Sequence, residues 1–211
     1  MVDHVSKDDP RLEVEDTTYP GKTGEVLTHL ARPKGDDKHP GVIVIHENRG
    51  LNPHTEEVAR RMALEGFLAV SPNALSPVGG TPNDVDKARE KMRALDPDDT
   101  ISNFVAAVKY LKTHPKSTGK VGVTGFCWGG AMTNHVAVNS DVGAAVPFYG
   151  RVPALEDVPK IKASVLAHYA SDDERINAGI PEFESAAEKH GLELKVYTYE
   201  GTRHAFFNDT G

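Results

Sequence analysis

The sequence predicts an α/β fold: a mostly parallel central sheet with helices on both faces. Three observations carry this. Strand-like and helix-like segments alternate along the chain. Several strands are short, continuous apolar runs, as expected where both faces of a parallel strand are covered. And a glycine-flanked corner, Gly125-Phe126-Cys127-Trp128-Gly129, joins one such run to a helical segment. With 211 residues the chain is long enough for one domain, 1–211, with a full core.

Taken in order, "EVLTHLA" (25–31) reads as a half-buried strand with Val26, Thr28 and Leu30 on one side. "GVIVIHE" (41–47) is an apolar run of strand length. Asn52 before Pro53 reads as a cap with proline at the first helical position, and this helix reaches Glu65 and stops at Gly66. "FLAVSP" (67–72) is a further buried strand. Thr81 and Pro82 open a second helix, with Val85, Ala88, Met92 and Leu95 along one face. A third begins near Thr100, places Ile101, Phe104, Val105, Val108 and Leu111 on a stripe, and ends before Pro115. Strands at 121–125, 142–148, 164–170 and 194–200 alternate with helical segments at 127–138 and 180–190, the latter closed by Gly191. This order implies right-handed crossovers, and ligands in such sheets bind at the carboxyl ends of the strands.

The composition is that of a globular chain, 38% hydrophobic and 26% charged. A net charge of −7 argues against nucleic acid or an anionic membrane as partner. No apolar stretch approaches the roughly 20 residues of a membrane span. "MVDHVSKDDP" lacks an apolar export core, so the cytoplasm is the expected location. A single cysteine excludes an internal disulfide and any multi-cysteine metal site.

That cysteine stands on the corner. Gly125-Phe126-Cys127-Trp128-Gly129 has the G-x-S-x-G form with sulfur in place of oxygen. A nucleophile on a sharp strand-to-helix turn is lifted above the sheet, and its neighbours two positions away must be small for strand and helix to approach. The helix N-terminus favours thiolate. The bland reading, a buried core cysteine, weakens because an acid and a base follow in the order this arrangement needs. "AHYASDDERI" (167–176) offers Asp172, Asp173 and Glu174 directly after a strand, and "GTRHAFFND" (201–209) offers His204 after the last one. "HENRG" (46–50) puts Glu47 at a third strand end, where it could control the thiol's ionisation. The backbone N–H groups of Asn48 and Trp128 are candidates for an oxyanion hole. Arg49, Tyr149 and Phe206, with Trp128 and Phe207, are candidate substrate-binding residues. His46, Glu47 and His54 lie close in sequence but have no recognised ligand spacing, so no metal is expected.

These residues resemble the dienelactone hydrolase family of α/β-hydrolases, from the strand near 25 to the His204 loop, with "GFCWGG" the most specific element and "HENRG", "HYASDDERINAG" and "HAFFND" its other landmarks. The resemblance implies an α/β-hydrolase fold with Cys127 as nucleophile, His204 as base, Asp173 as orienting acid and Glu47 as activator of the thiol. It also implies hydrolysis of a lactone or ester without metal or organic cofactor; the expected partner is a small-molecule substrate, and the expected state a monomer or weak homodimer. Two departures stand out. An arginine expected four residues after the histidine is Asn208 here, so the resemblance implies the hydrolase class and leaves dienelactone open as a substrate. The C-terminal helix that normally covers one sheet face after the histidine loop is missing. Two other readings compete. An inactive scaffold that only binds has no need of the full Cys/Asp/His/Glu set. A redox-sensing thiol has no second cysteine to resolve a sulfenic acid.

Overall fold

The structure is a computed structural model that describes residues 4–210. Eight strands and six α-helices follow one another as β1 (Leu12–Gly21), β2 (Gly24–Pro33), β3 (His39–Ile45), α1 (Pro53–Leu64), β4 (Leu68–Pro72), α2 (Val85–Arg93), α3 (Pro97–Thr113), β5 (Ser117–Phe126), α4 (Trp128–Asn139), β6 (Ala144–Phe148), β7 (Ser164–Asp172), α5 (Glu174–Asn177), α6 (Ile180–His190) and β8 (Leu194–Arg203). They form one sheet in the order β1-β2-β4-β3-β5-β6-β7-β8. β1, β2 and β4 pair antiparallel, and every pairing from β4 to β8 is parallel.

β3 shows why the apolar runs are continuous. Ile43 and Ile45 pack with Val70, Phe104, Leu111 and Val123 beneath α3 and α4, whereas Val42 and Val44 pack with Val58 and Ala59 of α1 on the other side. Both faces are dry, so no position can be polar without a partner. α1 begins as the sequence predicts: Asn52 Oδ1 accepts from the Thr55 N–H at 3.1 Å, and Pro53 follows. α6 ends at Gly191, which takes the left-handed conformation with φ 69°.

Two helix starts and one strand differ most from the sequence reading, and β5 also begins earlier, at Ser117. α2 starts at Val85, because the Asp84 side chain accepts from the N–H groups of Asp86 and Lys87, while the Thr81 hydroxyl is spent on Asn73. α3 starts at Pro97 and not near Thr100, because Asp96 caps the Asp99 N–H. β1, a strand that the alternation did not reveal, forms a hairpin with β2.

Helices lie on both faces. On the α1 face, Phe206 and Phe207 fill the space above Phe126, Phe148 and Tyr149. Below them a groove of about 650 Å³ runs along the sheet past Val42, Phe67, Thr124, Val146 and Phe148. Among the described residues no helix follows β8. None is long and apolar enough to cross a membrane.

Candidate active site

The corner is built by glycines. A Cβ at Gly125 would lie 2.3 Å from Gly129 O, one at Gly129 would lie 2.4 Å from Ile45 O, and one at Gly130 would lie 2.4 Å from Phe148 O. Strand β5, the end of β3 and the first turn of α4 therefore touch backbone to backbone. Cys127 occupies the turn with φ 55° and ψ −111°, a strained conformation for a residue with a side chain. Its N–H donates to Phe148 O at 3.0 Å and its C=O accepts from Ala131 N at 3.2 Å, which fixes it at the head of α4. The thiol is half-buried.

His204, on the turn after β8, meets the corner from the other side. Its Nδ1 is hydrogen-bonded to Oδ2 of Asp173, at the end of β7. Asp172, the neighbouring candidate, instead accepts from Arg203 Nε at 3.1 Å on the surface. The Cys127 sulfur beside the ring does most to hold the imidazole up to about 9; Asp173 adds to this and burial works against it. The geometry thus separates two carboxylates that the sequence left adjacent.

Glu47 is buried at the end of β3. Its Oε1 accepts from the Tyr149 hydroxyl at 3.4 Å and its Oε2 from Asn208 Nδ2 at 3.1 Å. Tyr149 is fully buried, so it supports Glu47 from beneath and offers no wall to a substrate. Burial, with the Glu47 and Cys127 charges beside it, pushes its phenol pKa upward. Tyr149 has φ 37° and its ring packs edge-on against His204, with centroids 5.1 Å apart. Asn208, at the position where the resemblance expects an arginine, is thus the second hydrogen-bond donor to Glu47. Sequence reasoning missed both supports; the only signal was the departure at Asn208 itself.

His46 lies within the fold. Its Nε2 accepts from Ala74 N at 3.1 Å, so its Nδ1 carries the proton and donates to Glu47 O at 2.6 Å. Burial depresses its pKa to about 4. The ring stacks on Trp128 with centroids 5.5 Å apart, which holds the first residue of α4 against the end of β3.

Asn48 and Trp128 border the same cavity, of about 330 Å³, whose other walls include Met92, Leu95, Ile101 and Met132. Neither N–H is used in a turn or loop hydrogen bond among the described residues. Arg49 turns away, into a separate cleft with Asn52, His54 and Thr81. Phe206 packs between Tyr149 and Tyr199, with ring centroids 5.2 Å from each.

A mostly parallel eight-stranded sheet, with a strained corner between a strand and a helix and a histidine after the last strand, defines the α/β-hydrolase class. A sequence model of the dienelactone hydrolase family matches residues 26–211, and the chain belongs to that family. It is 30% identical over 231 residues to a protein of Saccharolobus solfataricus provisionally named carboxymethylenebutenolidase, covering 92% of this chain and 88% of that one. It is 35% identical over 198 residues to the protein usf of Aquifex pyrophilus, covering 88% and 83% respectively. In fold it matches a dienelactone hydrolase-like promiscuous phosphotriesterase from metagenomic libraries, with a TM-score of 0.84 at 24% identity, covering 94% of this chain and 85% of that one. The chain is a hydrolase of the dienelactone hydrolase type.

Proposed function

We propose that this hydrolase cleaves a lactone or carboxylic ester through a Cys127–His204–Asp173 triad and a thioester acyl-enzyme. The observation that carries the reading is the meeting of three strand ends: Cys127 at φ 55° at the head of α4, with His204 beside it and oriented by Asp173.

Cys127 attacks as the thiolate while His204 carries the proton. The sulfur attacks the substrate carbonyl carbon, and the N–H groups of Asn48 and Trp128 receive the developing oxyanion; one such donor is worth about 3 kcal/mol. The C–O bond breaks as the tetrahedral intermediate collapses, and the leaving alkoxide takes the His204 proton. In a lactone this alcohol stays attached to the acyl chain. Neutral His204 then accepts a proton from water, the resulting hydroxide attacks the thioester, and the acid leaves as the thiolate and imidazolium re-form. Asp173 holds the imidazole tautomer throughout. Glu47, braced by Tyr149 and Asn208, governs the ionisation of the thiol before substrate enters. The apolar cavity beside Asn48 and Trp128 takes the acyl group.

The test is hydrolysis of p-nitrophenyl acetate by the parent, Cys127→Ala and Cys127→Ser, with intact mass read during turnover. Activity lost in Cys127→Ala, with an acetyl adduct on Cys127 in the parent, is the expected result. A folded parent without activity or adduct would overturn the reading in favour of a binding scaffold.

A further inference from the structure

We propose that His54, Glu57 and Asp209 form a divalent-cation site that ties α1 to the segment carrying His204. His54 and Glu57 stand one helical turn apart on α1, and Asp209 meets them from the chain after β8. One ligand atom from each lies within 4.8 Å of the others. His54 and Glu57 are only 7% and 4% exposed.

The independent observation is His54 Nδ1. It is buried and has no hydrogen-bond partner, although Asp209 Oδ1 lies 3.1 Å away without the geometry of a hydrogen bond. A dry, unpaired ring nitrogen is costly, and a metal ion is one group that satisfies it. The carboxylates are already arranged as ligands. Arg61 donates from Nε to Glu57 Oε1 at 3.0 Å and from Nη2 to Asp209 Oδ2 at 3.2 Å. The Val5 N–H also binds Oε1, at 3.0 Å. These outer contacts hold the carboxylates from behind, as supporting groups do around a metal. Glu57 Oε2 is hydrogen-bonded to the exposed His4 at 2.9 Å, a surface contact that a bound ion would displace, and Asp209 Oδ1 lies 3.1 Å from His54 Nδ1. Imidazole with two carboxylates suits zinc, cobalt or manganese.

His46 and Glu47, neighbours of His54 in sequence, take no part, since each is spent within the candidate active site. The site does not depend on the proposed chemistry at Cys127. It does touch the same segment, because Asp209 follows Asn208, the donor to Glu47.

The test is titration of the untagged, chelator-treated full chain with Co²⁺, read by its visible ligand-field absorption, with Zn²⁺ as competitor. Parent and Cys127→Ala should bind one equivalent, displaced by Zn²⁺. His54→Leu and Asp209→Asn should each weaken binding by about tenfold or more. Saturating Zn²⁺ should also raise the Tm of the parent and leave that of Asp209→Asn unchanged. No saturable binding in the parent, or undiminished binding in both variants, would overturn the proposal and leave an ion-pair network only.

Discussion

Gly129→Ala probes the contact on which the whole corner depends. The new methyl group would lie 2.4 Å from the carbonyl oxygen of Ile45 and 2.5 Å from that of His46. Both are backbone atoms at the end of β3 and cannot rotate away. Ordinary contact begins near 3.4 Å, so α4 or the end of β3 must yield by about 1 Å. The two sides of this contact carry the two proposed oxyanion donors, Trp128 and Asn48. A misplacement of about 1 Å in a catalytic constellation can cost about 10²-fold. Forcing a methyl group into a packed contact costs about 1–3 kcal/mol, and each kcal/mol lowers the Tm of a chain this long by about 2–4 °C. The expected outcome is therefore a loss of about a hundredfold in kcat/KM for p-nitrophenyl acetate, with a Tm lowered by several degrees. Gly122→Ala is the control: in the same strand as Gly125, its methyl would meet Ala144 O at an ordinary 3.5 Å, and activity and Tm should stay near those of the parent. A Gly129→Ala enzyme within about twofold of the parent, or an equal loss in Gly122→Ala, would refute the argument that this close approach positions the donors.

The remaining expectations concern the charged groups. Asp173→Asn should lower kcat by about 10³–10⁴-fold through loss of the His204 tautomer, whereas Asp172→Asn, which breaks only a surface pair with Arg203, should be near neutral; equal effects would contradict the assignment. The imidazolium at His204, held up to about 9 from an ordinary 6.5, stabilises the fold most fully below pH 6.5, and that contribution should fade as pH rises through 9. Because Cys127 is the largest cause, Cys127→Ala should bring the NMR-titrated His204 pKa down, and an unchanged value would show that the thiol is not beside the ring. Asn208→Ala leaves the buried Glu47 Oε2 without its donor and should cost about 1–3 kcal/mol in denaturant unfolding; an unaltered midpoint would mean that water replaces the amide freely.

Local chemistry determined what could be read from the chain. The strand at 41–45 declared itself because every residue from Gly41 to Ile45 is buried, which leaves an unbroken apolar run. The corner declared itself because backbone contact between strand and helix admits only glycine. β1 did not, since among its ten residues only Leu12 and Tyr19 are buried. Its identity comes from pairing with β2, a property of two segments and not of one. The start of α3 was legible in principle, because Asp96 before Pro97 is a capping pair; the apolar stripe that marks the helix begins only at Ile101. In the site, Cys127, Asp173 and His204 could be nominated from the sequence because each follows a strand. The braces on Glu47 were not: Tyr149 and Asn208 lie 102 and 161 residues from it in sequence, and only the fold brings them to one carboxylate. The pairing of His54 with Asp209 was hidden for the same reason.

The positive φ of Cys127 has a consequence for how such a chain can change over time. Strain of this kind, about 1–3 kcal/mol, falls on any residue with a Cβ and is blind to the atom at its tip. Exchanging sulfur for oxygen would leave the corner's shape untouched and alter only its reactivity. A glycine there would relax the backbone and delete the reactivity altogether. Durability alone would favour glycine at position 127, so the side chain there stands at a cost in stability. The turn is thus a place where some stability is given up to keep a side chain at the head of α4.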